Sequence, residues 1–222
     1  MQTRWLLGVA LSSGLSTIAI AAGENLGPGG IDPNSTPPAD RSEFLFQGDL
    51  VPEFGIGCSN SADTSGGPND AAVGVTATTT PPFVITSHFY NMGTAAPPNI
   101  TQLSFVAWQG GPIPGPEIGR ISIAPNWDSG DHTVSIAGIA VSSSQFYFGQ
   151  NQNQTNVGIR WGVDSSSGSA GTSFIRAPAC GVGQFTLLDA IGFPGNWVMA
   201  VTIDAIVPVE LSSWGSVKAE FR

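Results

Sequence analysis

Short runs of strand-forming residues alternate with clusters of turn-forming residues between residues 58 and 206, and this alternation constrains the fold more than any other feature. The runs are rich in Val, Ile, Thr and aromatic residues. Gly, Pro, Asn, Asp and Ser separate them, as in all-β sandwiches and barrels. The 222-residue chain contains 29 Gly and 17 Pro, and both residue types weaken helices. The sequence therefore predicts an all-β fold with little helix.

We predict about ten strands, arranged as an antiparallel two-sheet sandwich of jelly-roll type. The predicted strands span residues 73–80, 83–91, 100–108, 120–124, 132–140, 145–149, 157–163, 172–175, 185–188 and 197–206. Successive side chains point to opposite faces of a strand, so apolar residues at every second position mark the buried face. The inward residues predicted for the last strand are Trp197, Met199, Val201 and Ile203. Those predicted for the second strand are Phe83, Ile85 and Phe89, with His88 and Tyr90 facing outward.

The charge of the chain argues against nucleic acid as a partner. The formal net charge is −9, and only 7 residues are Lys or Arg. Binding to phosphate groups requires clustered basic residues, which this sequence lacks. The hydrophobic fraction of 41% also separates the chain from acidic disordered tails, which are poor in apolar residues.

The N-terminus has the features of a secretory signal peptide. Arg4 precedes an uncharged stretch of apolar and small residues, and residues 19–21 (AIA) supply the small side chains that signal peptidase requires. We predict cleavage after Ala21 and a secreted, extracellular or cell-surface location. The alternative is a retained anchor helix, which the shortness of the segment and its serines disfavour. We expect no transmembrane span in the mature chain.

Composition divides the chain into four segments. Residues 1–21 are the predicted signal peptide, 22–57 a Gly/Pro-rich lead-in or linker, 58–206 the β-sandwich domain and 207–222 a C-terminal tail or final strand. A short apolar patch at residues 44–46 lies within the lead-in. It is too short to form a core alone, so we expect it to dock on the domain as an extra strand or lid.

Cys58 and Cys180, the two cysteines of the chain, are predicted to form a disulfide. An exported protein meets an oxidising environment, and each cysteine has one possible partner. A metal site is the first alternative, but the chain has only two histidines to complete it. A catalytic cysteine is the second, and a single oxidative partner makes that role unusual.

Catalytic constellations are not evident in the sequence, and we predict that the protein is not an enzyme. There is no G-x-S-x-G motif. A serine hydrolase needs a histidine base held by a carboxylate, and Asp131 and His132 are adjacent, so in a strand they point apart. A glycosidase needs two carboxylates across a cleft, and 16 acidic residues allow too many pairs to discriminate.

Aromatic residues suggest carbohydrate binding, because exposed rings stack on sugar rings. Tyr90 and Trp108 fall on the faces predicted to be outward in two consecutive strands, where they can form a platform. Trp127 lies in an Asp-rich turn nearby in sequence. These three are the candidate ligand-binding residues, and packing inside the protein is the alternative for each of them.

No cofactor is predicted, with structural Ca²⁺ as the one exception considered. Calcium prefers carboxylate and carbonyl oxygens on loops. Asp128 and Asp131 flank a glycine in residues 126–131 (NWDSGD), and Asp70 lies close to the first predicted strand. The same residue types make ordinary tight turns, so an ion-free turn remains the alternative.

Two sequence stretches resemble known bacterial proteins. Residues 145–149 (QFYFG), 157–164 (VGIRWGVD) and 195–201 (GNWVMAV) resemble the closing strands of jelly-roll modules in bacterial secreted and surface proteins, although Ala200 stands where an arginine is common. Residues 210–222 (ELSSWGSVKAEFR) resemble the E-x-[ST]-[ST]-W-G-x-[IV]-K-x-x-[YF]-R endings of exported proteins. The first resemblance implies the sandwich fold, and the second implies a sorting or anchoring role. An amphipathic last strand is the alternative for the tail.

The sequence thus favours a secreted, non-catalytic β-sandwich that acts as an extracellular structural, surface or filament-type module. Self-association at the cell surface, by addition of a strand, is one way in which it would act. The alternative is a carbohydrate-binding module with a glycan as its partner. A secreted hydrolase ranks last, because no nucleophile and base can be paired.

Overall fold

The structure is a computed structural model that describes residues 42–58, 69–94, 100–123, 129–154 and 160–206. The predicted signal peptide, most of the lead-in and the tail at 207–222 lie outside these ranges. Within them the chain forms thirteen β-strands and two short 3-10 helices. The predicted all-β architecture is confirmed, with more strands than the ten expected.

The strands, in chain order, are β1 (Ser42–Phe46), β2 (Phe54–Ile56), β3 (Asn69–Thr76), β4 (Phe83–Thr94), β5 (Ile100–Gln109), β6 (Glu117–Ile123), β7 (Gly130–Val141), β8 (Gln145–Gln154), β9 (Arg160–Asp164), β10 (Ser173–Ala177), β11 (Val182–Leu187), β12 (Asn196–Trp197) and β13 (Met199–Ala205). The 3-10 helices span Pro178–Cys180 and Asp189–Ile191.

These strands form two antiparallel sheets. The seven-stranded sheet has the order β1-β13-β4-β9-β12, with β2 paired to β9 and β7 paired to β4. The six-stranded sheet has the order β11-β10-β3-β8-β5-β6. The patch at residues 44–46 lies in β1, which pairs with β13 at the edge of the first sheet. The sandwich therefore includes strands N-terminal to the domain boundary expected at residue 58.

The hydrophobic core lies between the two sheets. Two tryptophans from the seven-stranded sheet, Trp161 and Trp197, are fully buried there with their ring centroids 5.8 Å apart. The inward set predicted for the last strand is confirmed, because Trp197, Met199, Val201 and Ile203 all belong to the main hydrophobic core. Phe105 and Phe148 fill the core from the six-stranded sheet.

The inward set predicted for β4 is only partly right, because a β-bulge interrupts the strand. Ile203 of β13 pairs with Ile85, but the preceding Thr202 pairs with Ser87, so Thr86 is an extra residue. One extra residue shifts the alternation and moves every later side chain to the other face. Phe83 and Ile85 point inward as expected, whereas beyond the bulge His88 and Tyr90 are buried.

The predicted disulfide between Cys58 and Cys180 is confirmed. The two Cα atoms are 5.9 Å apart, and the residues are separated by 122 positions in the sequence. Cys58 follows β2 of the seven-stranded sheet, and Cys180 ends the 3-10 helix after β10 of the six-stranded sheet. The bond therefore connects segments that leave different sheets.

Candidate functional site

A polar groove lies where β5 ends and β8 begins, at one end of the six-stranded sheet. The two strands are paired there, with Gln109 opposite Phe146. The backbone continues from β5 through Gly110, directly against Gln145. A Cβ atom on Gly110 would lie 2.7 Å from the carbonyl carbon of Gln145, closer than real Cβ atoms approach. Glycine at this position therefore permits the close approach that forms the floor of the groove.

One wall of the groove includes Gly110 and Gly111, which begin the loop at residues 110–116, and several hydrogen bonds fix the shape of this loop. The Gln109 N–H donates to the Pro116 carbonyl over 2.9 Å, and the Gly115 N–H donates to the Gln109 carbonyl over 3.0 Å. The Tyr147 hydroxyl donates to the Gly111 carbonyl over 2.9 Å. Burial raises the pKa of this tyrosine, which keeps the donor protonated. Three prolines restrict the loop further, so the wall is preformed.

The groove contains two chambers that share Gly110 and Gln145. The larger chamber has a volume of about 560 Å³ and is lined by Gln109, Gly110, Glu117, Ile118, Ser142, Ser143 and Gln145. The smaller one has a volume of about 110 Å³ and is lined by Gln47, Gly74, Val75, Thr76, Gly110, Gly111, Gln145, Phe146, Tyr147 and Thr172. We call the two chambers together the polar groove.

The larger chamber offers uncharged hydrogen-bonding groups that have no competing side-chain partner in the part of the chain that the structure describes. The side chains of Gln109, Ser142, Ser143 and Gln145 are exposed, and none of them forms a hydrogen bond with another described residue. Amides and hydroxyls both donate and accept, which suits a ligand rich in hydroxyl groups. The acidic residue of the chamber, Glu117, has both carboxylate oxygens bonded to Arg120, at 3.1 and 2.7 Å.

Neither of the two histidines of the chain lines this groove, so neither can act there as a base. His88 lies in the core, where its Nδ1 is 3.1 Å from the Ala200 carbonyl oxygen and its Nε2 is 3.1 Å from Gln150 Nε2. The Gln150 Oε1 atom accepts a hydrogen bond from Trp161 Nε1. The Gln150 amide must therefore donate to His88, which fixes a neutral ring protonated at Nδ1.

Burial lowers the pKa of His88 to about 3, although the hydrogen bond to Ala200 opposes this shift. A fully buried, neutral ring with both nitrogens bonded has no access to a substrate. His88 is thus a structural residue of the inter-sheet core.

The expected exposed platform of Tyr90 and Trp108 is wrong. Tyr90 has no exposed surface, and its ring stacks between His88 and His132, with centroids 5.3 and 5.1 Å away. The bulge in β4 turned it inward. Trp108 does lie on the outer face of the six-stranded sheet, but it is only 3% exposed because Phe185 of β11 packs against its ring at 5.5 Å. The third candidate, Trp127, lies outside the described residues.

The candidate calcium ligands have other partners wherever they are described. Asp70 is fully buried and forms an ion pair of 2.7 Å with Arg176. Asp131 accepts a hydrogen bond of 2.6 Å from the Asn91 side chain. Asp128 lies outside the described residues. Among those that are described, no three His, Cys, Asp or Glu side chains form a cluster that could hold a metal. Calcium binding stays a prediction.

Sequence reasoning missed the groove residues because none of them belongs to a motif that marks a binding site. The signal that could have found them is the pair of turns that meet there: residues 109–112 (QGGP) and residues 142–145 (SSSQ). Their proximity depends on the pairing of β5 with β8, which the residues alone do not specify.

The fold is similar to that of a solved bacterial protein. No family model matches the chain, and no curated protein matches it. A structure of the cysteine protease and lectin-like domains of Cwp84, a surface layer associated protein of Clostridium difficile, matches with a TM-score of 0.55 and 10% identity. The match covers 76% of this chain and 37% of that one. At this identity the similarity establishes the fold alone. In the described residues we find no helix of the length and hydropathy needed to cross a membrane.

Proposed function

We propose that this chain is a non-catalytic module of the extracellular or cell-surface compartment that binds a neutral saccharide in the polar groove. The observation that carries the proposal is a chamber of about 560 Å³ lined by amides and hydroxyls that have no side-chain partner among the described residues. That volume lies in the range of roughly 300–1,000 Å³ typical of small-molecule sites. The predicted signal peptide, the disulfide and the lectin-like domain of the similar structure support the same proposal.

A bulky side chain in the larger chamber should abolish saccharide binding. We expect wild-type protein to bind neutral oligosaccharides on a glycan array, and Ser143→Trp to weaken that binding at least tenfold because its indole occupies part of the chamber. Ser143 is exposed and makes no side-chain hydrogen bond to a described residue, so the melting temperature should not change.

Ser135→Trp is the matched control, since Ser135 is an exposed serine on β7 of the other sheet. Equal losses in the two variants would show that the groove is not the site. An array on which wild-type protein binds no neutral glycan would refute the saccharide proposal itself.

Assembly through β1 is a second candidate function, favoured by the exposed rings of this edge strand. Phe44 and Phe46 are 50% and 42% exposed, with their centroids 5.4 Å apart. Among the described strands, β1 pairs with β13 alone, so its other edge is open. An open, apolar edge strand is a template for the addition of another strand. This candidate matches a structural or filament-type role at the cell surface.

Charges on β1 should prevent this assembly. We expect the mass of wild-type protein in light scattering to rise with concentration, and the Phe44→Asp/Phe46→Asp double variant to stay monomeric. Val51→Asp is the control, because Val51 is 55% exposed outside the strands and should assemble as the wild type does. Wild-type protein that remains monomeric at millimolar concentration would eliminate this candidate.

A further inference from the structure

The two-chambered shape of the polar groove points to a more specific ligand. We propose that the larger chamber holds the ring of an N-acetylhexosamine and that the smaller chamber accepts its acetamido group. This inference rests on the proposed saccharide binding. Gly110 and Gln145 line both chambers, which places the two chambers next to each other.

The volumes assign different parts of the ligand to the two chambers. The larger chamber, at about 560 Å³, is of a size that holds a whole small ligand. The smaller, at about 110 Å³, is well below that range and takes only a substituent. A sugar with a compact side group fits this pair of volumes better than a plain sugar, which would leave the smaller chamber unfilled.

The residues of the smaller chamber select a neutral substituent. None of the ten lining residues carries a charged side chain. A carboxylate, sulfate or ammonium group would lose water there without gaining a counter-charge, which is costly. Acidic sugars and free amino sugars are therefore excluded from this chamber.

Unused hydrogen-bonding capacity matches an amide. Gln47 donates through Nε2 to the Gly74 carbonyl over 2.9 Å, which leaves its Oε1 atom as an acceptor for the N–H of an acetamido group. The Gln145 side chain has no partner among the described residues and can donate to the acetamido carbonyl. The Thr172 hydroxyl, which borders the same chamber, likewise has no partner there.

The ring of Tyr147 provides the apolar wall for the acetamido methyl group. It lies directly over Gly74, where a Cβ atom would be 2.6 Å from the ring. Its hydroxyl is bonded to Gly111, so the ring is held in place. An acetamido group has one donor, one acceptor and one methyl group, and the chamber offers a counterpart to each. A hydroxymethyl group has neither the methyl group nor the amide that these residues match.

Two trisaccharides that differ only at the acetamido position test this inference. N,N′,N″-Triacetylchitotriose, called chitotriose below, and cellotriose share the same β-1,4-linked backbone, and we expect calorimetry to show at least tenfold tighter binding of this chitotriose. Thr76 is exposed and lines only the smaller chamber, so Thr76→Phe fills that chamber alone. We expect Thr76→Phe to bind chitotriose no more tightly than cellotriose and to keep the wild-type affinity for cellotriose. Thr76→Ser, which leaves the chamber open, should keep the preference.

The outcomes separate this inference from the proposed function. Equal wild-type affinities for the two trisaccharides, or a chitotriose preference that survives in Thr76→Phe, would overturn the acetamido inference and leave saccharide binding in place. Binding of other neutral glycans but of neither trisaccharide would do the same. If wild-type protein bound no neutral glycan at all, both proposals would fail.

Discussion

Lowering the pH from 6.5 to 4 should reduce the free energy of unfolding by about 3 kcal/mol through His88 alone. The pKa of this side chain is about 3 in the folded protein and 6.5 in the unfolded chain. Each pKa unit corresponds to about 1.4 kcal/mol, and this pH change covers roughly 2.5 units of the interval between the two values.

The sign follows from which state binds the proton. Between pH 6.5 and 3 the unfolded chain holds a proton on His88 and the folded protein does not, so acidification favours unfolding. The stabilisation is complete above pH 6.5 and is lost as the pH falls towards 3. The ring is enclosed by Tyr90, Phe105 and Phe148, with the amide of Gln150 and the Ala200 carbonyl at its nitrogens. None of these groups supplies a negative charge to hold a protonated ring.

Urea unfolding at pH 6.5 and pH 4 measures this effect, with His88→Gln as the comparison variant. Glutamine keeps a polar side chain but does not titrate. The variant should be less stable than wild type at pH 6.5, and its stability should fall about 3 kcal/mol less on acidification. A carboxylate effect common to both proteins will remain, and the difference between the two proteins removes it.

Glu43 and Asp164 contribute to that common effect. Partial burial opposes ionisation of both side chains, but hydrogen bonds from backbone N–H groups outweigh it and lower both pKa values. The donors are Thr78 and Thr79 for Glu43. They are Ser167 and Asp49 for Asp164. Both groups therefore also lose stabilisation as the pH falls. If wild type and His88→Gln lost equal stability between pH 6.5 and 4, His88 would not be the source.

The fold class was predictable because it depends on local chemistry. The Gly and Pro clusters mark the turns. In the last strand, the alternation of apolar residues identifies every second residue from Trp197 to Ile203 as facing the core. In β4 the same reasoning was wrong beyond Thr86, since a bulge depends on what the neighbouring strands demand and leaves no clear mark in the sequence. The burial of His88 and Tyr90 could not be predicted for this reason.

The candidate site was harder to predict, because it is made by strand pairing. Trp108 was correctly placed on the opposite face from Phe105, but the sequence does not tell that Phe185, far away along the chain, covers it. The adjacent residue, Gln109, lines the polar groove. Gln109 can contact a ligand together with Gln145 only because β8 pairs with β5 and places the two side chains around the same chamber. Non-local contacts of this kind require the register of the sheet.

Removal of the Cys58–Cys180 disulfide should lower the free energy of unfolding by about 5 kcal/mol. The cross-link spans 122 positions, and in the chain-entropy model a loop of this size restricts the unfolded ensemble by about that amount. Cys58→Ala/Cys180→Ala is the variant of choice, because Cys58 is fully buried and a serine hydroxyl there would add a separate penalty. Thermal and urea unfolding of oxidised wild type and of the variant measure the difference.

Reduced wild-type protein is the control that isolates the cross-link from the substitutions. If the constraint on the unfolded chain is the cause, reduced wild type and the double variant should unfold at nearly the same urea concentration, both well below the oxidised protein. Each single alanine variant should match them, since either change breaks the bond. A double variant within about 1 kcal/mol of the oxidised protein would contradict the prediction. It would mean that residual structure already restricts the unfolded chain as much as the disulfide does.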